Sequence, residues 1–455
     1  MTEIFHLIGV GGAGMSVVAE LLLSRGFKVS GSDQADSAGL QRLRSLGIEA
    51  FVGHDAGQVP VDATVVVSTA VRETNPELAF AREHNLPVIH RSQALAIAAQ
   101  GLDFVAVAGA HGKTTTSGML AAALSAAGMD PSFAVGGVVA GFGTGAHLGQ
   151  GRFFVAEADE SDGSFLNYTP RVALVTNVEP DHLDHYGSRE AFEAVFDEFV
   201  TRITADGALV VCADDPGASA LGQRVLATGR RVWSYGLDSS VEGAQHLQIS
   251  EVELHASGSS FLVSYGDETV AVHLNVSGLH NVLNATGALA VALDLGISLS
   301  VMAEALKAFT GTGRRFEFKG EVAGKRLFDD YAHHPSEVAA ALKQARVVVG
   351  EGKVVVLFQP HLYSRTRNFA AEFAASLALA DQVVLADIYG AREDPMPGIT
   401  SALIGDKLVE VAFVGPLETA AEVAAELTEA GDICITMGAG NVTSVGNQII
   451  NYWQN

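Results

Sequence analysis

The chain reads as a succession of short apolar runs, each closing in a glycine-rich or polar turn and followed by apolar residues at helical spacing. Ile4-Phe5-His6-Leu7-Ile8 leads into Gly9-Val10-Gly11-Gly12-Ala13-Gly14 and then a helical pattern through Ser24. Lys28-Val29-Ser30-Gly31-Ser32 is a second strand ending at Asp33, and Val65–Ser68 and Pro87–His90 continue the same parallel sheet. Alternating strand and helix signals predict a doubly wound α/β domain over residues 1–100. The pattern restarts near Leu102. Phe104–Ala108, Phe153–Ala156 and Ala173–Thr176 are expected strands of a central domain, 101–313, with a β-rich stretch over 208–277 that includes Ser260–Tyr265. After Gly311-Thr312-Gly313, strands at Val354–Phe358, Val383–Ala386 and Ile433–Thr436 predict a third domain, 314–455. The chain carries no internal repeat and no low-complexity linker.

One turn carries more chemistry than the others. Gly109-Ala110-His111-Gly112-Lys113-Thr114-Thr115-Thr116-Ser117 lies between the apolar run Phe104–Ala108 and the helix-like Gly118–Leu124. Strand, glycine loop, Lys-Thr and helix form a nucleotide phosphate cradle: backbone N–H groups surround the phosphates, a lysine neutralises them, and a threonine hydroxyl reaches Mg²⁺. The loop is short, with two residues between its glycines where four are common. A chance glycine turn is the plainer reading, but Gly-Lys-Thr between a strand and a helix rarely arises by accident.

Composition agrees with a large soluble enzyme. The 455 residues suggest about three domains, and a 48% hydrophobic content supplies the cores. Cys212 and Cys434, each inside an apolar run, read as reduced core residues. No basic segment precedes the first apolar run, which gives no sign of a secretory signal, and no apolar stretch is long enough to span a bilayer. A formal net charge of -24 argues against general nucleic-acid affinity. An acidic chain that binds phosphates must concentrate its cations locally.

The first glycine cluster leaves a choice open. GxGxxG after a strand, with Asp33 about 20 residues on, is the dinucleotide fingerprint. It reports a pyrophosphate near a helix N-terminus and suits NAD or another diphosphate, such as that of a nucleotide sugar. The second glycine loop shifts the balance toward a nucleotide-linked substrate plus ATP. Two acidic segments follow consecutive central strands: Glu157-Ala158-Asp159-Glu160-Ser161-Asp162-Gly163-Ser164 and Asn177-Val178-Glu179-Pro180-Asp181-His182-Leu183-Asp184-His185. Such clusters are usually solvated loops, but their place beside the phosphate loop suits hard oxygen ligation of Mg²⁺. Zinc is disfavoured, since these histidines lack cysteine company. Cations come from the third domain, in Arg314-Arg315, Asp329-Asp330-Tyr331-Ala332-His333-His334-Pro335 and Gln359-Pro360-His361-Leu362-Tyr363-Ser364-Arg365, which are expected after three strands on one binding face.

With these motifs in order, the chain resembles the Mur ligases, ATP-dependent amino-acid ligases of peptidoglycan precursor synthesis. The matching segments are GVGGAGMS (9–16), HGKTTTS (111–117), EADESDGSFL (157–166), TNVEPDHLDHY (176–186), HNVLNA (280–285), RRFE (314–317), DDYAHHPSEV (329–338), FQPHLYSRT (358–366) and DIYGAREDPMPG (387–398). The resemblance implies a three-domain architecture: a Rossmann-like domain for a UDP substrate, a P-loop ATP/Mg²⁺ domain and a Rossmann-like domain for the amino acid. It is strongest to the branch that adds L-alanine to UDP-N-acetylmuramate. The tripeptide-recycling branch, which shares the opening glycines and a related His-His-Pro, is the alternative; EADESDGSFL suits the alanine-adding branch better.

The resemblance also implies roles. Gly11, Gly12, Ala13, Gly14, Met15 and Ser16 would hold the UDP diphosphate, helped by His90, Arg91 and Ser92, with Glu160 and Ser161 on the same substrate. Gly109, His111, Gly112, Lys113, Thr114 and Thr115 would cradle ATP; Thr114, Glu157 and His182 would hold Mg²⁺; His280, Asn281 and Asn284 would lie near adenine and ribose. Arg314 would reach the γ-phosphate, and Tyr331, His333 and Arg365 would receive the amino acid. Lys113, Arg314, His182 and His333 would carry the chemistry, the last two as bases for the amine. A cytoplasmic monomer or weak homodimer, without nucleic acid or membrane insertion, is implied as well. Two positions depart from the family's pattern: Ala110 where threonine is frequent, and Leu362 where some relatives have arginine. No lysine matches the one carbamylated in several members. A dehydrogenase would leave the Lys-Thr loop unexplained, and a nucleotide sensor would leave Tyr331, His333 and Arg365 idle.

Overall fold

The apolar runs close into three sheets in the computed structural model, which describes residues 3–180, 186–391 and 393–454. The first sheet comprises β1 (Ile4–Ile8), β2 (Lys28–Asp33), β3 (Glu49–Val52), β4 (Ala63–Val67) and β5 (Val88–His90), all parallel, in the order β3-β2-β1-β4-β5. Alternation along β1 decides which helices cover which face. Phe5 and Leu7 pack into one core with α1 (Ala13–Ser24) and α2 (Ala38–Ser45), while Ile8 joins Leu78 and Ala81 of α3 (Pro76–Glu83) in another. Strand order reverses between β2-β1 and β1-β4, so a crevice opens at the carboxyl end of β1, beside the glycine turn.

The second sheet gathers β6 (Asp103–Ala108), β7 (Ser132–Val139), β8 (Thr144–His147), β9 (Phe153–Glu157), β10 (Val172–Val175), β11 (Ala208–Cys212) and β12 (Arg231–Gly236). β13 (Gln245–His255), β14 (Gly258–Tyr265) and β15 (Glu268–Leu274) extend it, in the order β15-β14-β13-β12-β11-β10-β6-β9-β7-β8. Central β6 is paired in parallel on both sides, by β10 and β9, and its Val105, Ala106, Val107 and Ala108 are fully buried. That burial explains the uninterrupted apolar run. The third sheet contains β16 (Glu317–Val322), β17 (Lys325–Asp330), β18 (Val354–Phe358), β19 (Gln382–Ala386), β20 (Phe413–Gly415) and β21 (Ile433–Met437), in the order β16-β17-β21-β18-β19-β20. Only β16 runs antiparallel there.

The chain forms two compact units, Met1–Ser250 with Val263–Val270 and Leu283–Ala308, and Glu251–Leu262 with Ala271–Val282 and Phe309–Asn455. Cys212 and Cys434 are buried and free, and burial pushes each thiol up to about 12. No described helix is long and apolar enough to cross a membrane.

A close backbone approach sets the seat of the first glycine turn. A Cβ on Gly31 of β2 would lie 2.5 Å from the Leu7 carbonyl oxygen and 2.9 Å from Val10 Cβ. Gly31→Ala is therefore expected to cost about 1–3 kcal/mol through overpacking, read as a lower urea midpoint at unchanged m.

Candidate active site

Each of the first two sheets presents a glycine turn at the N-terminus of a helix. In the first, Gly9 (φ +78°) reverses the chain after β1, and the N–H groups of Gly9 and Val10 both donate to the Ser32 carbonyl, at 2.8 and 2.9 Å. Gly11 N–H donates to Asp33 Oδ2 at 3.0 Å, so the acidic residue at the end of β2 shapes the turn itself. Gly12, the N-cap of α1, supplies no side-chain cap, and a helix N-terminus of this kind suits an anion. Beneath the turn lies a polar cluster that the sequence reading missed. Ser32 Oγ donates to the fully buried Glu77 at 2.6 Å, and His6 Nε2 lies 3.5 Å from the same oxygen. Burial would raise the Glu77 carboxyl, but the neighbouring His6 imidazole and the Ser32 hydrogen bond outweigh it and lower it.

α4 (Arg91–Ala98) borders this turn. His90 caps it and Gln93 closes a capping box. Ser92 Oγ accepts from Asn167 Nδ2 at 2.8 Å, His90 Nε2 lies 3.7 Å from Asp162, and Arg91 Nη2 donates to Asp159 at 2.6 Å. His90, Arg91 and Ser92 thus stand with the acidic segment that begins at Glu157. Ser161 contributes its N–H to Asp159 at 3.1 Å.

The second turn opens α5 (Lys113–Ala126) after β6. Gly109 has φ +128°, and a Cβ there would sit 2.2 Å from Thr176 Oγ1; Gly112, at φ +83°, faces Asn284, whose Oδ1 would be 2.8 Å from a Cβ. Both positions need glycine for the backbone angle and for the neighbour. The loop is fastened from β10: Asn177 Oδ1 accepts from His111 N–H at 2.9 Å, and Thr176 Oγ1 donates to the His111 carbonyl at 2.6 Å. Lys113 Nζ donates to the Gly109 carbonyl at 2.6 Å and to both Glu160 oxygens at 3.0 and 2.7 Å. Burial would lower this lysine's pKa, yet Glu160 and then Asp159 raise it, so it stays charged. Thr114 Oγ1 donates to Glu157 Oε2 at 3.1 Å, and Gly136 N–H donates to the other Glu157 oxygen at 2.6 Å. Thr115 is on the same first turn of α5. His182 lies outside the described residues.

The second compact unit carries the remaining expected residues. Arg314, at φ +58°, donates from Nε to Asp329 Oδ2 at 3.0 Å and from Nη2 to the Gly438 carbonyl at 2.7 Å. Its guanidinium and that of Arg315 lie 4.8 and 5.1 Å from the Tyr331 ring centre. His333 Nδ1 is 3.0 Å from the Tyr331 carbonyl and 3.2 Å from Glu337, and its ring meets those of Tyr331 and His361 edge-on. Arg365 is buried in the first turn of the helix Tyr363–Leu377. His280 and Asn281 open the helix Leu279–Asp294; burial and then Arg315 hold the His280 imidazole down to about 4, so it is neutral at pH 7.

One expectation needs correction. Arg314-Arg315 does not end a strand: it precedes β16 and reaches the end of β17 because Tyr331 N–H donates to the Arg314 carbonyl at 2.8 Å. The third strand end on this face is that of β21, between β17 and β18, where Gly438-Ala439-Gly440-Asn441 follows Ile433–Met437. A Cβ on Gly438 would lie 2.6 Å from the Gln359 carbonyl oxygen, and Gln359 Nε2 donates to Asn441 at 2.8 Å. A glycine pair straight after an apolar strand was the available signal.

Three family models match the chain: "Mur ligase family, catalytic domain" over residues 4–102, "Mur ligase middle domain" over 107–292, and "Mur ligase, glutamate ligase domain" over 314–440. A UDP-N-acetylmuramate–L-alanine ligase of Renibacterium salmoninarum is 52% identical over 98% of this chain and 95% of its own length. A protein of the same name from Kineococcus radiotolerans is 53% identical, with the same 98% and 95% coverage. Among solved structures, a UDP-N-acetylmuramate–alanine ligase from Thermotoga maritima superposes with a TM-score of 0.82 at 29% identity, covering 100% of this chain and 99% of that one. A murein peptide ligase from Psychrobacter arcticus gives 0.73 at 26% identity, with the same coverage.

Asp330 gives this region a pH signature. Burial pushes its carboxyl up to about 6, against the pull of Arg315 and of the Ala332 and Phe316 N–H groups that donate to it at 2.7 Å. Between the unfolded value of 3.8 and about 6 the folded protein binds the extra proton, so this group's contribution to stability falls as pH rises through that window. Relative to Asp330→Asn, the wild-type chain is expected to lose about 2 kcal/mol between pH 4 and pH 7. Urea midpoints of both proteins across that range check it.

Proposed function

The chain belongs to the Mur ligase family and has its three-sheet fold, and from that premise we propose that it joins L-alanine to the lactyl carboxylate of UDP-N-acetylmuramate at the expense of ATP. The observation that carries this reading is the pair of helix-N-terminal anion turns in one compact unit, one uncapped at α1 and one armed with Lys113 at α5. A nucleotide sugar and ATP need such a pair, whereas a dehydrogenase needs one.

A carboxylate resists attack by an amine until one of its oxygens becomes a leaving group. An oxygen of the lactyl carboxylate attacks the γ-phosphorus of ATP, the bond to the β-phosphate oxygen breaks, and ADP leaves. The amine of L-alanine then attacks the acyl carbon, loses a proton, and phosphate departs from the tetrahedral intermediate. The protein's share is placement and charge neutralisation. Gly11 to Ser16 with His90, Arg91 and Ser92 hold the diphosphate, and Glu160 and Ser161 border that substrate. Gly109, His111, Gly112, Lys113, Thr114 and Thr115 hold the triphosphate, while Asn284 packs against the loop and His280 and Asn281 serve the nucleoside. Arg314 offers charge to the transferring phosphoryl, tied to Asp329 so that its planar fork is already oriented. Tyr331, His333 and Arg365 receive the alanine. His333, whose Nδ1 lies 3.2 Å from Glu337, is a base for the amine proton.

Thr114 and Glu157 fit Mg²⁺: both are hard oxygen donors, 3.1 Å apart, close to the roughly 3 Å between neighbouring ligands of an octahedral ion. Bound there, with His182 as a further family ligand, the ion would neutralise phosphate charge. Dependence on ATP favours the cytoplasm, and the reaction requires no partner beyond its substrates, consistent with a monomer or weak homodimer. The recycling alternative has less support, since the relatives 52% and 53% identical over 98% of the chain carry the alanine-ligase name, and the alanine ligase structure superposes at a TM-score of 0.82 against 0.73 for the murein peptide ligase.

ADP release with Mg²⁺, ATP and UDP-N-acetylmuramate is expected with L-alanine and absent with L-Ala-γ-D-Glu-meso-diaminopimelate. Release with UDP-N-acetylmuramate driven by that tripeptide and not by L-alanine would move the chain to the recycling branch. Lys113→Ala should lower ADP release at least about 100-fold; wild-type turnover in that variant would overturn the scheme.

A further inference from the structure

One carboxylate of the first compact unit binds a cation of the first anion turn and adjoins the carboxylate that binds the cation of the second, and neither glycine motif contains it. Asp159 Oδ2 accepts from Arg91 Nη2 at 2.6 Å, and Oδ1 accepts from Ser161 N–H at 3.1 Å. Arg91 Nη1, on the guanidinium's other arm, lies 3.2 Å from where a Cβ on Gly14 would stand, so the group rests against the first turn of α1. The next residue in the chain is Glu160, which binds Lys113 with both oxygens, at 3.0 and 2.7 Å. Asp159 is thus ion-paired with Arg91 and stands one residue from the carboxylate that holds Lys113. Two consecutive carboxylates therefore hold two cations, and in the proposed reaction each cation serves a different polyanion.

We propose that Asp159 is a positioning residue shared by the two sites: it orients Arg91 across the α1 turn for the sugar nucleotide's diphosphate and, with Glu160, competes with ATP for Lys113. This deepens the ligase reading and rests on it. The two roles have opposite consequences when the charge is removed. Without Asp159 the Arg91 fork is no longer pre-oriented, and the diphosphate loses a prepared partner. The same change weakens the field that draws Lys113 away from phosphates. Removing Arg91 acts differently, because it deletes the diphosphate's partner and leaves the whole Asp159 charge to Lys113. Both ligands then weaken.

The test is titration calorimetry on the full chain with UDP-N-acetylmuramate, and separately with Mg²⁺ and a non-hydrolysable ATP analogue, alongside KM and kcat. For Asp159→Asn we expect sugar-nucleotide affinity to fall about tenfold, ATP-analogue affinity to rise about threefold, and kcat at saturation to change less than about threefold. Asp159→Glu should recover most of the lost sugar-nucleotide affinity, and Arg91→Gln should weaken both ligands. Parallel losses for both ligands in Asp159→Asn, or no change in either, would overturn the proposal. Should that variant fail to fold, Arg91→Gln decides: unaltered ATP-analogue affinity there would overturn it. A wild-type chain that binds both ligands yet ligates nothing would sink the reaction while leaving Asp159 to be judged by the affinities. One that binds neither would sink both.

Discussion

A lysine ammonium enclosed by its own loop and a buried carboxylate is the contact on which the ligand chemistry of the first compact unit depends. Lys113 Nζ donates to the carbonyls of Gly109 and Ala110 and to Glu160, whose side chain is fully buried. Such a pair is tolerable only when its remaining hydrogen-bonding capacity is satisfied, and removing one member of a buried pair typically costs about 3–5 kcal/mol. The ammonium therefore pins the phosphate loop in shape before any phosphate arrives. In the proposed reaction, phosphate oxygens would replace the carboxylate rather than meet a bare cation.

Backbone geometry does the rest, and this bears on the two departures from the family's pattern. At the α5 turn, the Ala110 carbonyl contacts Lys113 and the His111 N–H is held by Asn177, so the contacts the loop uses near Ala110 are main-chain ones. A side-chain hydroxyl at that position is dispensable to those contacts. Leu362 is another matter. It sits at φ +70°, is 4% exposed, and its N–H donates to the Tyr389 carbonyl at 3.0 Å. A left-handed leucine costs about 1–2 kcal/mol, repaid here by burial and by the bond that ties the ends of β18 and β19 together.

Central strands were legible in the sequence and edge strands other than β5 mostly were not, for one physical reason. β1, β6, β18 and β21 are paired on both sides and covered on both faces, so they read as unbroken apolar runs. β3, β8, β16 and β20 lie at sheet edges, and β16 has no buried residue and exposes the consecutive Phe318 and Lys319. The site divides in the same way. Glycine turns and the Lys-Thr pair announce themselves because they are local. Glu77 beneath the first turn, Asn177 on the second loop and Gly438 beside Arg314 act across 45, 66 and 124 residues of chain, through contacts that no spacing rule records. Arg314-Arg315 misled the expected order of strand ends because its role comes from the contact with Asp329, not from its place after a strand.

The net charge of -24 explains a pattern that runs through both compact units, each taken by itself. Arg91, Lys113 and Arg314 are the cations assigned to phosphates, and each is matched to a carboxylate: Asp159, Glu160 and Asp329. An acidic protein can keep such cations desolvated only by pairing them. Pairing also sets a threshold, because an anion with a single acceptor group gains little by displacing a carboxylate that already fits. A diphosphate or triphosphate gains more, since it presents several acceptors at once and collects helix N–H groups as well as the displaced cation. The carboxylates thereby convert sites that would attract any anion into sites that favour polyanions of the right spacing, and selectivity comes from what must be displaced as much as from what is bound.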